Sequence, residues 1–208
     1  MRLFIAADLD GAARAAAADA VERLRARAEA ERRGSTRGVA WVDPRNLHLT
    51  LHFLGEIDEA RWPALHAAIA PPLEVDAPRL ALARWGTFPP RGPSRVLWMG
   101  VTGGVDGLAA AHAEFGARLR AVGVVPESRP LSAHLTVGRV KVPSGLFWKR
   151  VCRAAPAPIA GTWTLPACTL FQSHLSPAGS TYRPLLAIAF AGAPLQPLAG
   201  SKEAHRAL

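Results

Sequence analysis

Residues 46–55 read Asn-Leu-His-Leu-Thr-Leu-His-Phe-Leu-Gly and residues 133–139 read Ala-His-Leu-Thr-Val-Gly-Arg, so the tripeptide His-Leu-Thr occurs twice in 208 residues. Both copies lie in apolar runs that read as strands, and side chains of a strand alternate between two faces. Strict alternation places His48, Thr50 and His52 on one face and Leu47, Leu49, Leu51 and Phe53 on the other. In the second copy it sets His134 and Thr136 against Leu135 and Val137. Each copy offers an imidazole and a hydroxyl on one face of a strand whose other face is free to be buried.

The surroundings repeat as well. An apolar run at residues 2–7 and an Ala/Arg/Glu-rich helical stretch at residues 12–33 precede the first copy; residues 95–101 and an Ala-rich stretch at 106–122 precede the second. The motifs are 86 residues apart and the leading strands 93, which assigns seven extra residues to a longer helix or connection in the first unit, around residues 34–38. Such a repeat predicts two similar lobes related by a pseudo-two-fold axis, with the motifs facing one another across a cleft. A lone strand histidine is more often a packing residue; two in matching contexts point to function. Two imidazoles and two hydroxyls are the minimum kit for phosphoryl chemistry without a metal.

The chain resembles the two-histidine phosphoesterase superfamily, specifically the bacterial and archaeal RNA 2',3'-cyclic phosphodiesterases, also called 2'-5' RNA ligases. The resemblance rests on an Arg-Leu-Phe-Ile-Ala strand from residue 2, Trp41-Val42, the run from Asn46 to Leu51, Phe53-Leu54-Gly55, Gly86-Thr87-Phe88-Pro89 and the segment from Arg95 to Trp98. It continues through His134, Thr136 and Arg139 to Ser173, Leu175, Gly179 and Tyr182, and so covers residues 1–192. The chain departs from the family's usual residues at His52, where Lys is common, and at Phe171-Gln172-Ser173, where Tyr-Glu-Ser is common. The resemblance implies hydrolysis of a terminal RNA 2',3'-cyclic phosphate to a 2'-phosphomonoester, with 2'-5' ligation as the same site run in reverse. It gives His48 as proton donor and His134 as proton acceptor, an assignment that the residues themselves leave open. Thr50, Thr136 and Arg139 are the expected phosphate ligands; Arg139 needs a bulge at Gly138 to regain the face of His134. His52, Phe88, Ser173 and Tyr182 are further candidate contacts, with Trp148 and Phe171 joining Phe88 as aromatics able to stack on a base. The other readings are a phosphodiesterase for small cyclic nucleotides or related cyclic phosphates, and a non-catalytic basic RNA-binding module.

The expected fold is α+β: a single bilobal domain over residues 1–192, two mainly antiparallel sheets flanked by helices, with a flexible tail at 193–208. The net charge of +9 favours an anionic partner, here an RNA or oligonucleotide end. Only Lys141, Lys149 and Lys202 of the 25 basic residues are lysines, a bias that fits a GC-rich genome. Cys152 and Cys168 lack Cys-x-x-Cys spacing, and neither motif carries closely spaced metal ligands, so neither disulfide, metal nor cofactor is expected. With no long apolar run and no basic leader, the sequence reads as cytoplasmic with no membrane contact; it leaves the oligomeric state open, with a monomer as the default expectation. Strands are also expected at residues 80–88, 162–171 and 185–190, a short helix at 58–69, and irregular chain at 89–93 and 142–158.

Overall fold

The computed structural model describes residues 1–31, 38–127, 130–142, 144–158, 160–176 and 179–194. The first half contains β1 (Arg2–Asp8), α1 (Gly11–Glu31), β2 (Val39–Trp41), β3 (His48–Glu56) and α2 (Trp62–Ile69). The second contains β4 (Arg79–Phe88), β5 (Val96–Gly103), α3 (Val105–Ala121), β6 (His134–Val140) and α4 (Phe147–Ala154), followed by β7 (Ala160–Thr164), β8 (Ala167–Ser176) and β9 (Gly179–Ala189). The strand order is β7-β4-β5-β6-β3-β1-β8-β9, antiparallel at every step. The fold is α+β, and the two sheets expected from the repeat meet edge to edge. Strands β3 and β6 join through one pair, Leu49 with Leu135, while β2 occupies the rest of that edge of β6. The first lobe is therefore β3-β1-β8-β9 and the second β6-β5-β4-β7.

Helix α1 forms because Ala13, Ala17, Ala20, Val21, Leu24 and Ala28 recur at helical spacing and are buried, and because Asp10 accepts from the Ala13 N–H at 2.7 Å in its first turn. In α3 the buried stripe is Leu108, Ala111, Phe115 and Leu119. The helices are exchanged between lobes: α1 leaves the first lobe to pack on β7 and α4, and α3 leaves the second to pack on β3 and α2. Their apolar faces cover the sheet face that carries Leu49, Met99, Leu135 and Val137, all at most 2% exposed. This leaves the opposite face to the histidines and threonines.

The structure departs from the sequence expectations at five places. Residues 162–171 are not one strand: Leu165 and Pro166 separate β7 at one end of the sheet order from β8 near the other, and the chain crosses between lobes there. Residues 142–158 are not wholly irregular, since α4 turns Phe147, Trp148, Val151 and Cys152 into the core. Trp148 is 1% exposed and edge-on to Trp41, so it is a core residue and not a base-stacking candidate. Residues 58–69 fold as a single 3-10 turn at Glu59–Arg61 and then α2, and β9 begins at Gly179, before the expected 185. Of the seven extra residues in the first unit, four lie in α1, which has 21 residues against 17 in α3. The connection at 32–37 and the tail at 195–208 lie outside the described residues.

Candidate active site

The single pair joining the lobes is also the centre of the site. With Leu49 opposite Leu135 in antiparallel register, one step either way sets His48 beside Thr136 and Thr50 beside His134. All four side chains leave the sheet on the face opposite the two leucines, and all four are half-buried. The pseudo-two-fold axis predicted by the repeat thus passes between Leu49 and Leu135.

Each imidazole is oriented in the same way. His48 Nδ1 lies 2.7 Å from the Asn46 carbonyl oxygen, and His134 Nδ1 lies 2.6 Å from that of Ser132, each two residues upstream. A carbonyl oxygen only accepts, so Nδ1 carries the proton in both rings and Nε2 is the nitrogen left for chemistry. Burial pulls both imidazoles below the usual histidine range, with the carbonyl bonds opposing the shift. Their charged neighbours differ. Asp8, opposite His48 in the β1–β3 ladder, favours the His48 imidazolium, while Arg14, ion-paired to Asp8, and His134 disfavour it; Arg139 disfavours the His134 imidazolium.

Both motif strands contain a bulge at the same place. In β3 the register against β1 skips Leu51, between Thr50 paired to Ala6 and His52 paired to Ile5. In β6 the register against β5 skips Val137, between Thr136 paired to Trp98 and Gly138 paired to Leu97. One inserted residue moves all later side chains to the other face. Arg139 therefore returns to the histidine face as expected, five residues after His134. The same shift corrects the expectation for His52. It lies on the buried face, 3% exposed, with Nε2 2.8 Å from the His112 carbonyl oxygen and its ring stacked on His112 at 4.0 Å, so it is not a substrate contact. Phe53, five residues after His48, takes the position equivalent to Arg139 and is 57% exposed.

Aromatic rings flank both histidines. His48 lies 5.0 Å from Phe4, 5.2 Å from Tyr182 in edge contact, and 6.4 Å from Phe171; Phe4 and Phe171 stack at 5.2 Å. His134 lies 5.0 Å from Phe88 and 6.2 Å from Trp98. Trp98 lies flat over Gly86, where a Cβ would stand 2.1 Å from the ring. Phe88, Phe171 and Tyr182 thus gather at the site, and Ser173, paired with Tyr182 across β8–β9, shares their face. Sequence reasoning missed Asp8, Arg14 and Phe4. Asp8 closes an antiparallel strand, so the ladder to His48 was its only signal, and a ladder register is not readable from composition. Among the described residues no group of three His, Cys, Asp or Glu side chains is disposed to hold a metal ion, and no helix is long and apolar enough to cross a membrane. Cys152 and Cys168 are buried and unpaired, and burial pushes the Cys152 thiol up to about 12.

A family model described as LigT like Phosphoesterase matches residues 14–98. The RNA 2',3'-cyclic phosphodiesterase of Archaeoglobus fulgidus is 30% identical over 187 residues, which is 89% of this chain and 98% of that protein. The chain belongs to the LigT-like phosphoesterase family. A relative of the same name from Thermus thermophilus is 31% identical over 188 residues, 88% of this chain and 86% of that one. Among solved structures, TT0787 of Thermus thermophilus superposes with a TM-score of 0.73 at 28% identity, covering 91% of this chain and 98% of that one. In this LigT-like chain the two tripeptides of the family resemblance fall on opposite sides of one inter-lobe pair.

Proposed function

We propose that the chain hydrolyses the 2',3'-cyclic phosphate at the end of an RNA to a 2'-phosphomonoester, with His48 as acid and His134 as base. The observation that carries this reading is the antiparallel register of the two tripeptides about Leu49 and Leu135. It sets two imidazoles diagonally about one point, each with its Nδ1 proton held by a carbonyl and its Nε2 available. A water attacks phosphorus in line, His134 Nε2 takes its proton, the P–O3' bond breaks and His48 Nε2–H protonates the departing O3'. The phosphate remains on O2'. Thr50 and Thr136 donate to the non-bridging oxygens, and Arg139 adds a charge-assisted fork that stabilises the extra negative charge. The relatives' name, RNA 2',3'-cyclic phosphodiesterase, supports the same substrate class.

The charged neighbours support the division of labour. A carboxylate next to a histidine stabilises its protonated form and a guanidinium destabilises it. Asp8 beside His48 favours its protonated form, with Arg14 and His134 acting the other way, whereas His134 faces Arg139 and has no carboxylate among the charges that the described residues place on it. The proton transfers balance between the two imidazoles and need no metal-bound hydroxide. The test is turnover of an oligonucleotide ending in a 2',3'-cyclic phosphate in excess EDTA, with the product identified by its phosphate position. A 2'-phosphate formed at an undiminished rate is expected; a 3'-phosphate product, or activity lost in EDTA and restored by zinc or manganese, contradicts the mechanism.

A further inference from the structure

The net charge of the chain is concentrated in one segment. Residues 79–153 hold 12 of the 25 Lys and Arg and only 3 of the 16 Asp and Glu, while the remaining 13 basic and 13 acidic residues cancel. That segment builds most of the second lobe, and one of its arginines lies on the histidine face for a specific reason. Leu82 is 2% exposed on the core face opposite Val101, and alternation would bury Arg84 beside it. The β4–β5 register instead skips Ala83, so Arg84 emerges on the opposite face, paired with Gly100, which is itself paired with His134.

Arg84, Gly100 and His134 form one row across three strands, about 10 Å from end to end at two strand spacings. Gly100 supplies the room between them: a Cβ there would stand 2.6 Å from Arg84 Nε and 2.7 Å from its Cγ, so the arginine lies over the glycine. The guanidinium sits over the Trp98 ring at 5.7 Å, a cation–π contact that holds it without neutralising it. Arg84 is exposed, and among the described residues no carboxylate pairs with it. Two strand spacings from His134 along that row, it stands beyond the phosphate that His134 would serve.

We infer that Arg84 binds the phosphate on the 5' side of the terminal nucleotide, so that the RNA body leaves the site across the second lobe and an internucleotide phosphate distinguishes RNA ends from cyclic mononucleotides. The inference rests on the proposed cyclic-phosphate substrate and adds a positioning residue to it. Arg84 contributes to binding and not to the proton transfers, so its loss appears in KM and not in kcat.

The probes are a nucleoside 2',3'-cyclic phosphate with a free 5'-hydroxyl, the same compound with a 5'-phosphate, and a dinucleotide ending in the cyclic phosphate. Wild type should favour the second and third over the first. Arg84→Gln should raise KM for those two about tenfold with kcat within twofold, as expected for one lost charge-assisted contact. It should also flatten the salt dependence of log kcat/KM by about 0.7, the slope of one single-strand phosphate contact. Arg84→Lys should recover part of the discrimination. Arg153→Gln, on α4 and away from the row, should leave it intact. Equal losses on all three probes, no loss on any, or the same loss from Arg153→Gln would overturn the inference. Calorimetry with a nucleoside 2'-phosphate, with and without a 5'-phosphate, gives the same comparison without turnover. If wild type hydrolyses none of the probes, the proposed reaction fails while the binding comparison still decides the role of Arg84.

Discussion

The two lobes share a tripeptide, a carbonyl two residues upstream that holds the imidazole, and a bulge after the threonine, yet they differ in what stands beside each ring. In the first lobe the neighbours of His48 are Asp8, Arg14, Phe4 and Tyr182; in the second, His134 has Gly100 beside it, with Phe88, Trp98 and Arg139 around it. The bulge places Phe53 and Arg139 at equivalent positions, so the guanidinium proposed to meet the phosphate comes from one side only. In the proposed mechanism symmetry supplies two imidazoles for opposite sides of a phosphorus atom, and the divergence of their neighbours is what would make one the acid and the other the base.

Removing either histidine breaks the comparison most severely. His48→Ala and His134→Ala should each lower kcat/KM by about 10²–10⁴-fold, measured on the same cyclic-phosphate oligonucleotide. The double variant should lose less than the product of the single losses, because the two act in one proton relay. Fully multiplicative losses would mean that the lobes act independently.

The proposed phosphate ligands come next. Thr50→Val, Thr136→Val and Arg139→Gln should each cost roughly tenfold to a thousandfold, about 1.4–4 kcal/mol of transition-state stabilisation. Valine keeps the shape and suits a strand, so circular dichroism and Tm should change little in the threonine variants. Moving the guanidinium across the axis, as Phe53→Arg with Arg139→Phe, should not restore activity. The new cation would stand on the His48 side and disfavour the protonated imidazole that the reaction needs there. Recovery in that double variant would show that the side of the charge is immaterial.

A smaller effect concerns His52, which belongs to the packing between β3 and α3. His52→Ala should change kcat/KM by less than tenfold while lowering stability by about 1–3 kcal/mol, through a lost hydrogen bond and a cavity. Burial holds His48, His52, His112 and His134 below the ordinary value of 6.5. For such groups the unfolded chain takes up protons first, so their stabilisation is present above about pH 6.5 and is lost as the pH falls through the lowered folded values. Tm should therefore fall on acidification below about pH 6.5, and His52→Leu should flatten that slope. An unchanged slope would remove His52 from the account.

Much of this was legible in the sequence because hydrophobic alternation and a repeated tripeptide are local signals. They gave the strands, the two lobes, the facing histidines and the threonines. The bulges were not legible in the same way. Strict two-residue alternation put His52 with His48 and Phe53 on the buried face, whereas the skipped Leu51 reverses both; only Gly138 betrayed the matching bulge in β6, by offering a residue with no side chain. Its Cβ would meet Val39 Cγ1 at 2.9 Å, so β2 also depends on that glycine. Helix α4 was hidden because eight residues between turn-rich flanks are too few to declare a period, and Trp148 then looked free to stack. Asp8 and Arg84 reach the site through ladder register, a non-local property.

If equivalent histidines have been made unequal, the pH dependence of kcat/KM must carry the inequality. Wild type should give a bell whose limbs belong to the pair, and because both imidazoles are held below 6.5, its maximum should lie on the acid side of neutrality. His48→Ala should lose the alkaline limb, where the acid deprotonates, and His134→Ala should lose the acidic limb, where the base is protonated. The opposite pairing of variants and limbs, or a bell that survives in either variant, would contradict the account.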